Sequence, residues 1–150
     1  MQTNNIPIYS EVDGNLVSNF MLYEFANSEG WVLVHERIPW TLEQIRAAFN
    51  ARYQPDNIII LVTNTTRTPP QNWKLAAKYG YTDEGGKVSR RSFHLVEFGG
   101  IAVDFVVRNA TRKCNISPCE VAKVADLYFD FVKWYSDGHT HGDYRDLLTT

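Results

Sequence analysis

Apolar and polar positions change period several times along the chain, and each change marks an expected element. Leu42, Ile45, Phe49 and Tyr53 recur at helical spacing. Thr41 and Gln44 have the spacing of a capping box, Trp40 is placed to staple onto Ile45, and Pro55 supplies a stop. Asn57 to Thr63 is a nearly continuous apolar run, the pattern of a buried central strand. It gives way to Asn64-Thr65-Thr66-Arg67-Thr68-Pro69-Pro70, where the prolines are expected to forbid both ladder and helix. Residues 71–91 then read as a long connector with a short helix around Trp73 to Tyr79, a length typical of binding loops and lids.

Trp31 to Val34 and Ile101 to Val107 are β-prone. Ser117 and Pro118 suit the N-cap and first position of a helix running to about Tyr135, with Val121, Val124, Ala125, Leu127, Tyr128, Phe131 and Val132 inside. Asp137-Gly138 turns the chain into a last strand, His139 to Arg145. Residues 1–15 are polar, with a turn at Asp13-Gly14, and read as a loosely ordered start. The aromatic stretch Asn19 to Phe25 is expected to dock on the domain. The sum is an α+β fold with a small central antiparallel sheet flanked by helices, in one domain spanning residues 1–150.

Composition narrows the function. Hydrophobic residues at 44% and aromatics at 13% suit a globular chain with a real core. A net charge of -2 lacks the basic face of a nucleic-acid binder, and the run Lys87 to Arg91 is short enough for a solvated loop. No apolar run reaches the roughly 20 residues that span a bilayer, and Met1 to Asn5 lacks the pattern of a signal peptide. Neither a membrane nor a nucleic acid is therefore an expected partner, and a monomer is expected. Cys114 and Cys119 are compatible either with a small disulfide loop or with free thiols.

The candidate chemistry lies in two segments. Three of the four histidines, His94, His139 and His141, fall in Ser92 to Asp104 and His139 to Asp143. Both segments are apolar or glycine-rich and suited to a sheet. Two histidines and one carboxylate meet the needs of a catalytic zinc ion, which keeps its fourth position for water; His94, Asp104 and His141 are the nominated set. In His139-Thr140-His141 strand alternation points both rings to one face, leaving His139 for proton transfer. Asp143 shares that face and is placed to fix His141 by a hydrogen bond.

Ser92-Phe93-His94 followed by Gly100-Ile101-Ala102-Val103-Asp104 resembles the Ser-x-His-x-x-Gly-x-Ala-x-Asp motif of the zinc D-Ala-D-Ala carboxypeptidases and phage L-alanyl-D-glutamate endopeptidases, relatives of the hedgehog signalling fold. Asn19 to Phe25, Thr66-Arg67-Thr68-Pro69 and the closing His141-x-Asp143-x-Arg145 resemble further pieces in family order, so the likeness spans residues 19–145 in outline. It implies a hedgehog/DD-peptidase fold and zinc ligands at His94, Asp104 and His141. It also implies an Arg67 that grips a substrate carboxylate or carbonyl, and hydrolysis of an amide bond in peptidoglycan stem peptides. A protein of this kind, made in the cytoplasm, would act on the cell wall.

The sequence departs from that pattern twice. The first histidine and the aspartate are ten residues apart here, against seven in the family, and counting back seven from Asp104 reaches Glu97 as a rival ligand. Ser92 and the Gly99-Gly100 pair, able to absorb an insertion, favour His94. Gly138 stands where many members carry a catalytic carboxylate, which leaves His139 first and Asp137 second for that role. The same departures motivate the alternative of a non-catalytic binding or structural domain that keeps the fold.

Overall fold

The computed structural model describes residues 5–149. The chain is α+β. It opens with an antiparallel hairpin of β1 (Pro7–Val12) and β2 (Asn15–Met21). Helix α1 (Arg37–Arg52) follows, then β3 (Ile58–Asn64) and α2 (Pro69–Tyr79). The second half supplies β4 (Ala102–Asn109), β5 (Cys114–Asn115), α3 (Pro118–Ala125), β6 (Phe131–Trp134) and β7 (Thr140–Asp143). Strands β3, β4, β7 and β6 lie in that order in one antiparallel sheet, with β5 paired to the end of β4.

Alternation along β4 divides the sheet into two faces. Val103, Phe105 and Val107 are buried and join the apolar core with Ile38, Leu42, Ile45 and Phe49 of α1 and Val121, Val124 and Ala125 of α3. Asp104, Val106 and Arg108 are only partly buried and point the other way. The site is built on that second face.

Several sequence expectations give way to specific competitors. Residues 7–15, expected to be loose, are ordered: Asp13 (φ 50°) and Gly14 (φ 79°) take the paired positive φ of a type I′ turn and close the hairpin. That hairpin is tied to α1 where Glu43 accepts from the Asn19 backbone N–H (2.8 Å) and amide (2.9 Å), and where Gln44 donates to the Glu11 carbonyl (2.8 Å). Residues 1–4 lie outside the described residues. Helix α1 begins at Arg37 rather than after Thr41. The His35 ring accepts from the Arg37 N–H (3.1 Å), Pro39 is tolerated in the first turn, and Thr41 is buried against the Tyr144 hydroxyl. Trp40 meets the edge of Tyr128 instead of stapling onto Ile45.

Pro69 and Pro70 open α2 instead of preventing a helix, because first-turn N–H groups need no helical partner; Thr68 and Gln71 form the capping box. Strand β3 lies at a sheet edge, so the strand expected at the centre leaves Leu61 exposed. Val32 makes only an isolated bridge to Ala26, and no strand forms over Trp31 to Val34. Helix α3 ends at Ala125, leaving Leu127 exposed and releasing Phe131 to Trp134 into β6. The last strand is trimmed to Thr140–Asp143. Cys114 and Cys119 are free, exposed thiols. Among the described residues no helix is long and apolar enough to cross a membrane.

Phe129 explains the early end of α3. Its buried ring lies against Gly142, the residue between His141 and Asp143 in β7; a Cβ there would stand 2.4 Å from the ring. Gly142→Ala should therefore cost about 1–3 kcal/mol through overpacking. Urea unfolding checks this, and a loss below about 0.5 kcal/mol would mean that the ring has room to move.

Candidate metal centre

The pairing of β4 with β7 places Asp104 directly opposite His141, on the face away from the core that α1 and α3 cover. His94 comes from a turn rather than a strand. Its segment is held on the chain beyond β3, where the Arg67 N–H donates to the His94 carbonyl (2.7 Å) and the Val96 N–H to the Arg67 carbonyl (2.8 Å). A bulge between Val62 and Asn64 ends the regular β3 ladder and sets Asn64 opposite Asp104. His94 Nε2, Asp104 Oδ1 and His141 Nδ1 form a triangle with sides of 3.1, 2.9 and 3.1 Å. This is the one such His/Cys/Asp/Glu group among the described residues. Glu97 lies in an exposed 3-10 turn, outside it.

The outer atoms of both rings are committed. His94 Nδ1 lies 2.7 Å from the Thr65 carbonyl, which can only accept, so Nδ1 carries the hydrogen. His141 Nε2 lies 2.7 Å from Asp143 Oδ2 and donates to it. Asp143 is fully buried and receives three further bonds from Arg145, the backbone N–H to Oδ1 at 3.1 Å and Nε to Oδ1 and Nη2 to Oδ2 at 2.9 Å each. Arg145 is in turn clasped between the Phe93 and Phe131 rings, 4.3 and 3.7 Å from its guanidinium carbon. With these hydrogens assigned outward, two imidazole lone pairs and a carboxylate oxygen face one another.

Three acceptors at that separation repel unless a proton or a cation sits among them. A tetrahedral ion with bonds of about 2.0–2.1 Å has ligand–ligand edges of about 3.3 Å, close to the observed sides. The donor set therefore fits a small divalent ion, with the second-sphere bonds that such sites need. Without an ion, protons take its place. Burial works to raise Asp104, but hydrogen bonds from His141 and His94 outweigh it and hold the carboxyl far below its usual range. Burial likewise works to lower His141, and Asp104 and Asp143 outweigh it and raise the imidazole. Asp143, despite its burial, is drawn down to about 2 by Arg145 and His141.

A cleft of about 310 Å³ opens over the triangle, with Arg67, Tyr135 and Phe131 in its walls. The Arg67 guanidinium is largely buried and has no carboxylate partner among the described residues. Nη1 donates to Asn72 Oδ1 (3.0 Å), and Nε has no partner. Burial pulls its pKa below the usual arginine value against the field of Asp104. Tyr135 was not singled out from sequence; burial and then the Asp104 carboxylate raise its hydroxyl. His139 is not in the triangle. It precedes β7, stacks on Tyr135 with ring centres 4.3 Å apart, and pairs through Nδ1 with Asp137. His139 and Asp137 line an adjoining depression that meets the cleft at Asp104. Strand alternation did not apply to His139, because the β6–β7 turn holds it through its carbonyl, which accepts from the Tyr135 N–H.

The direction of these shifts makes metal binding pH-dependent. In the ion-free protein the raised His141 stabilises the fold below its unperturbed pKa of 6.5, and that contribution disappears as pH rises through the folded value. The lowered Asp104 and Asp143 stabilise above their unperturbed 3.8, and are lost only as pH falls through their depressed values. An ion competes with the proton on the His141 ring. The rise in melting temperature on adding zinc should thus be small near pH 5 and full near pH 8. Asp143→Asn should weaken zinc about 10–100-fold at pH 8. A zinc-induced rise independent of pH, or retained in His141→Ala, would place the ion elsewhere.

Compared with models of protein families, with curated proteins and with solved structures, the chain matches none of them.

Proposed function

We propose that the chain is a zinc-dependent peptidase with a hedgehog/DD-peptidase-like fold, hydrolysing an amide bond in peptidoglycan stem peptides. The observation that carries this reading is the convergence of His94 Nε2, Asp104 Oδ1 and His141 Nδ1, with each ring's other nitrogen already committed. Its support beyond the triangle is the guanidinium of Arg67 in the wall of the same cleft, partly buried and with no carboxylate partner among the described residues. The peptide substrate is proposed from the order of the sequence motifs.

His94, Asp104 and His141 would hold the ion. When bound, zinc would supply a Lewis acid and lower the pKa of water from 15.7 to about 7. The residues around it have separable tasks. Arg67 presents a planar, charged fork to a scissile carbonyl or a substrate carboxylate, at a place where low solvent exposure strengthens the attraction. Asn72 orients that fork through Nη1. Asp137 accepts from His139 Nδ1–H and Tyr135 stacks on the ring, which leaves His139 Nε2 to take up and return a proton. Tyr135, with its raised hydroxyl, stays protonated at neutral pH and would offer a substrate a hydrogen-bond donor in the cleft wall.

Digestion of purified stem peptides, followed by mass spectrometry with and without chelator, tests the reading. Cleavage should require zinc. Arg67→Gln should lower kcat/KM about 100-fold or more, the scale of losing one oxyanion donor. His139→Ala should lower kcat about 100-fold with KM little changed and the melting temperature intact. Absence of stoichiometric zinc together with absence of cleavage refutes the proposal. Stoichiometric zinc without cleavage favours a binding domain that keeps the fold.

A further inference from the structure

The charge in the cleft is out of proportion to the charge of the chain. The protein carries a net charge of -2, yet five cationic residues, Arg67, Lys87, Arg91, Lys133 and Arg145, line the space over the metal triangle. The carboxylate of Asp104 is the one acidic group among the lining residues, and it is committed to the two histidines. Arg145 is neutralised by Asp143. Arg67, Lys87, Arg91 and Lys133 have no ion-pair partner among the described residues. The Lys133 ammonium rests over the Tyr135 ring, 5.2 Å from its centre.

A solvated loop does not account for this arrangement by itself. Arg90 lies between Lys87 and Arg91 and behaves as ordinary surface arginines do: it pairs with Asp83 and Glu84 at 3.0 Å and stacks on Tyr81. Its two cationic neighbours instead border the cleft without an acid. The depression on the other side of Asp104 has the opposite character, with Asp137 and His139 and neither lysine nor arginine in its lining. The site therefore has a cationic side and an acidic side, divided at Asp104. Low-dielectric walls concentrate such a field on whatever enters.

Resting on the reading of this cleft as the substrate site, we infer that Lys87, Arg91 and Lys133 form a specificity subsite for carboxylate groups of the substrate, remote from the bond that is cut. The substrate is a peptide with free acidic groups, and these lie on the side of the 87–91 loop and β6. Arg67, whose backbone N–H bonds the His94 carbonyl, serves the reacting bond, and the three exposed cations act on affinity rather than on that bond.

The test uses one short stem peptide in two forms, with free carboxylates and with those carboxylates amidated, both N-methylated along the backbone to prevent cleavage. Their affinities for the zinc-loaded protein are measured by calorimetry. The acidic form should bind at least ten-fold more tightly, and the preference should fall as sodium chloride is raised from 50 to 300 mM, as expected for partly exposed charges. In the triple variant Lys87→Gln, Arg91→Gln, Lys133→Gln the preference should drop below about three-fold, with zinc affinity and melting temperature unchanged. The matched variant Lys78→Gln, Lys113→Gln, Lys123→Gln removes the same charge elsewhere and should keep the preference. Equal affinity for the two peptides, no binding of either, or a preference that survives in the cleft variant would overturn the inference. Because neither peptide can be cut, a preference found in a protein without peptidase activity sustains the subsite while the catalytic proposal falls.

Discussion

Mutual repulsion among three electron-rich atoms is the constraint that organises this molecule. A carboxylate oxygen and two imidazole nitrogens are held about 3 Å apart in a mostly buried setting. Left alone, such groups would separate or take up protons. They are prevented from separating by bonds on their far sides, to the Thr65 carbonyl and to Asp143. They also sit on a sheet whose other face is locked into the apolar core by Val103, Phe105 and Val107. The energy of the core thus holds together a polar cluster that is unfavourable without a positive charge at its centre. Such a cluster could hold a metal ion, because its desolvation and geometry are already set by the fold.

The two histidines are fixed by different means, and this decides how much of the site is legible in the sequence. His141, Asp143 and Arg145 form a relay at intervals of two residues. Strand alternation puts the first pair on one side, and the chain turns just beyond to bring the guanidinium back. Asp143 was readable as the partner of His141 because the whole device lies within five residues. His94 is fixed by a backbone carbonyl 29 positions away. Any residue has a carbonyl, so no side-chain pattern announces it. The same applies to its position on a turn: Ser92 to Glu97 looks apolar enough for a strand, yet it is held by a few bonds to residues around Arg67.

The elements that sequence placed correctly are those whose period survives burial. The stripe of α1 and the strand expected over Ile101 to Val107 both rest on residues in the core. The misplaced boundaries have local competitors. Thr41 looked like a cap but serves as a buried partner for Tyr144, while a histidine ring two residues before the helix satisfies its first donor. Pro69 and Pro70 looked like breakers, but two prolines after a threonine are an efficient start, since Thr68 and Gln71 satisfy each other. The run of apolar residues in α3 and β6 looked like one helix. It splits because Phe129 has to reach the space that Gly142 leaves open in β7. Each misreading comes from a residue with two possible uses, and tertiary contacts select between them.

The position of His139 bears on how the site divides its labour. Strand alternation would put it beside His141, where a third imidazole would crowd the triangle and compete for the ion. The β6–β7 turn instead holds it outside, stacked on Tyr135 and paired with Asp137, in a depression that touches the cleft only at Asp104. Separation from the ligands leaves its Nε2 uncommitted, while the Asp137 carboxylate holds Nδ1 on the other side of the ring. The cationic lining on the opposite side of Asp104 follows the same logic. On the proposed reading, groups that would bind substrate, groups that would hold the ion and groups that would move protons lie on separate surfaces that share the Asp104 carboxylate on β4. A substrate lying across that carboxylate would meet them in turn, with its acidic portion and its reacting bond kept apart by the width of the strand pair.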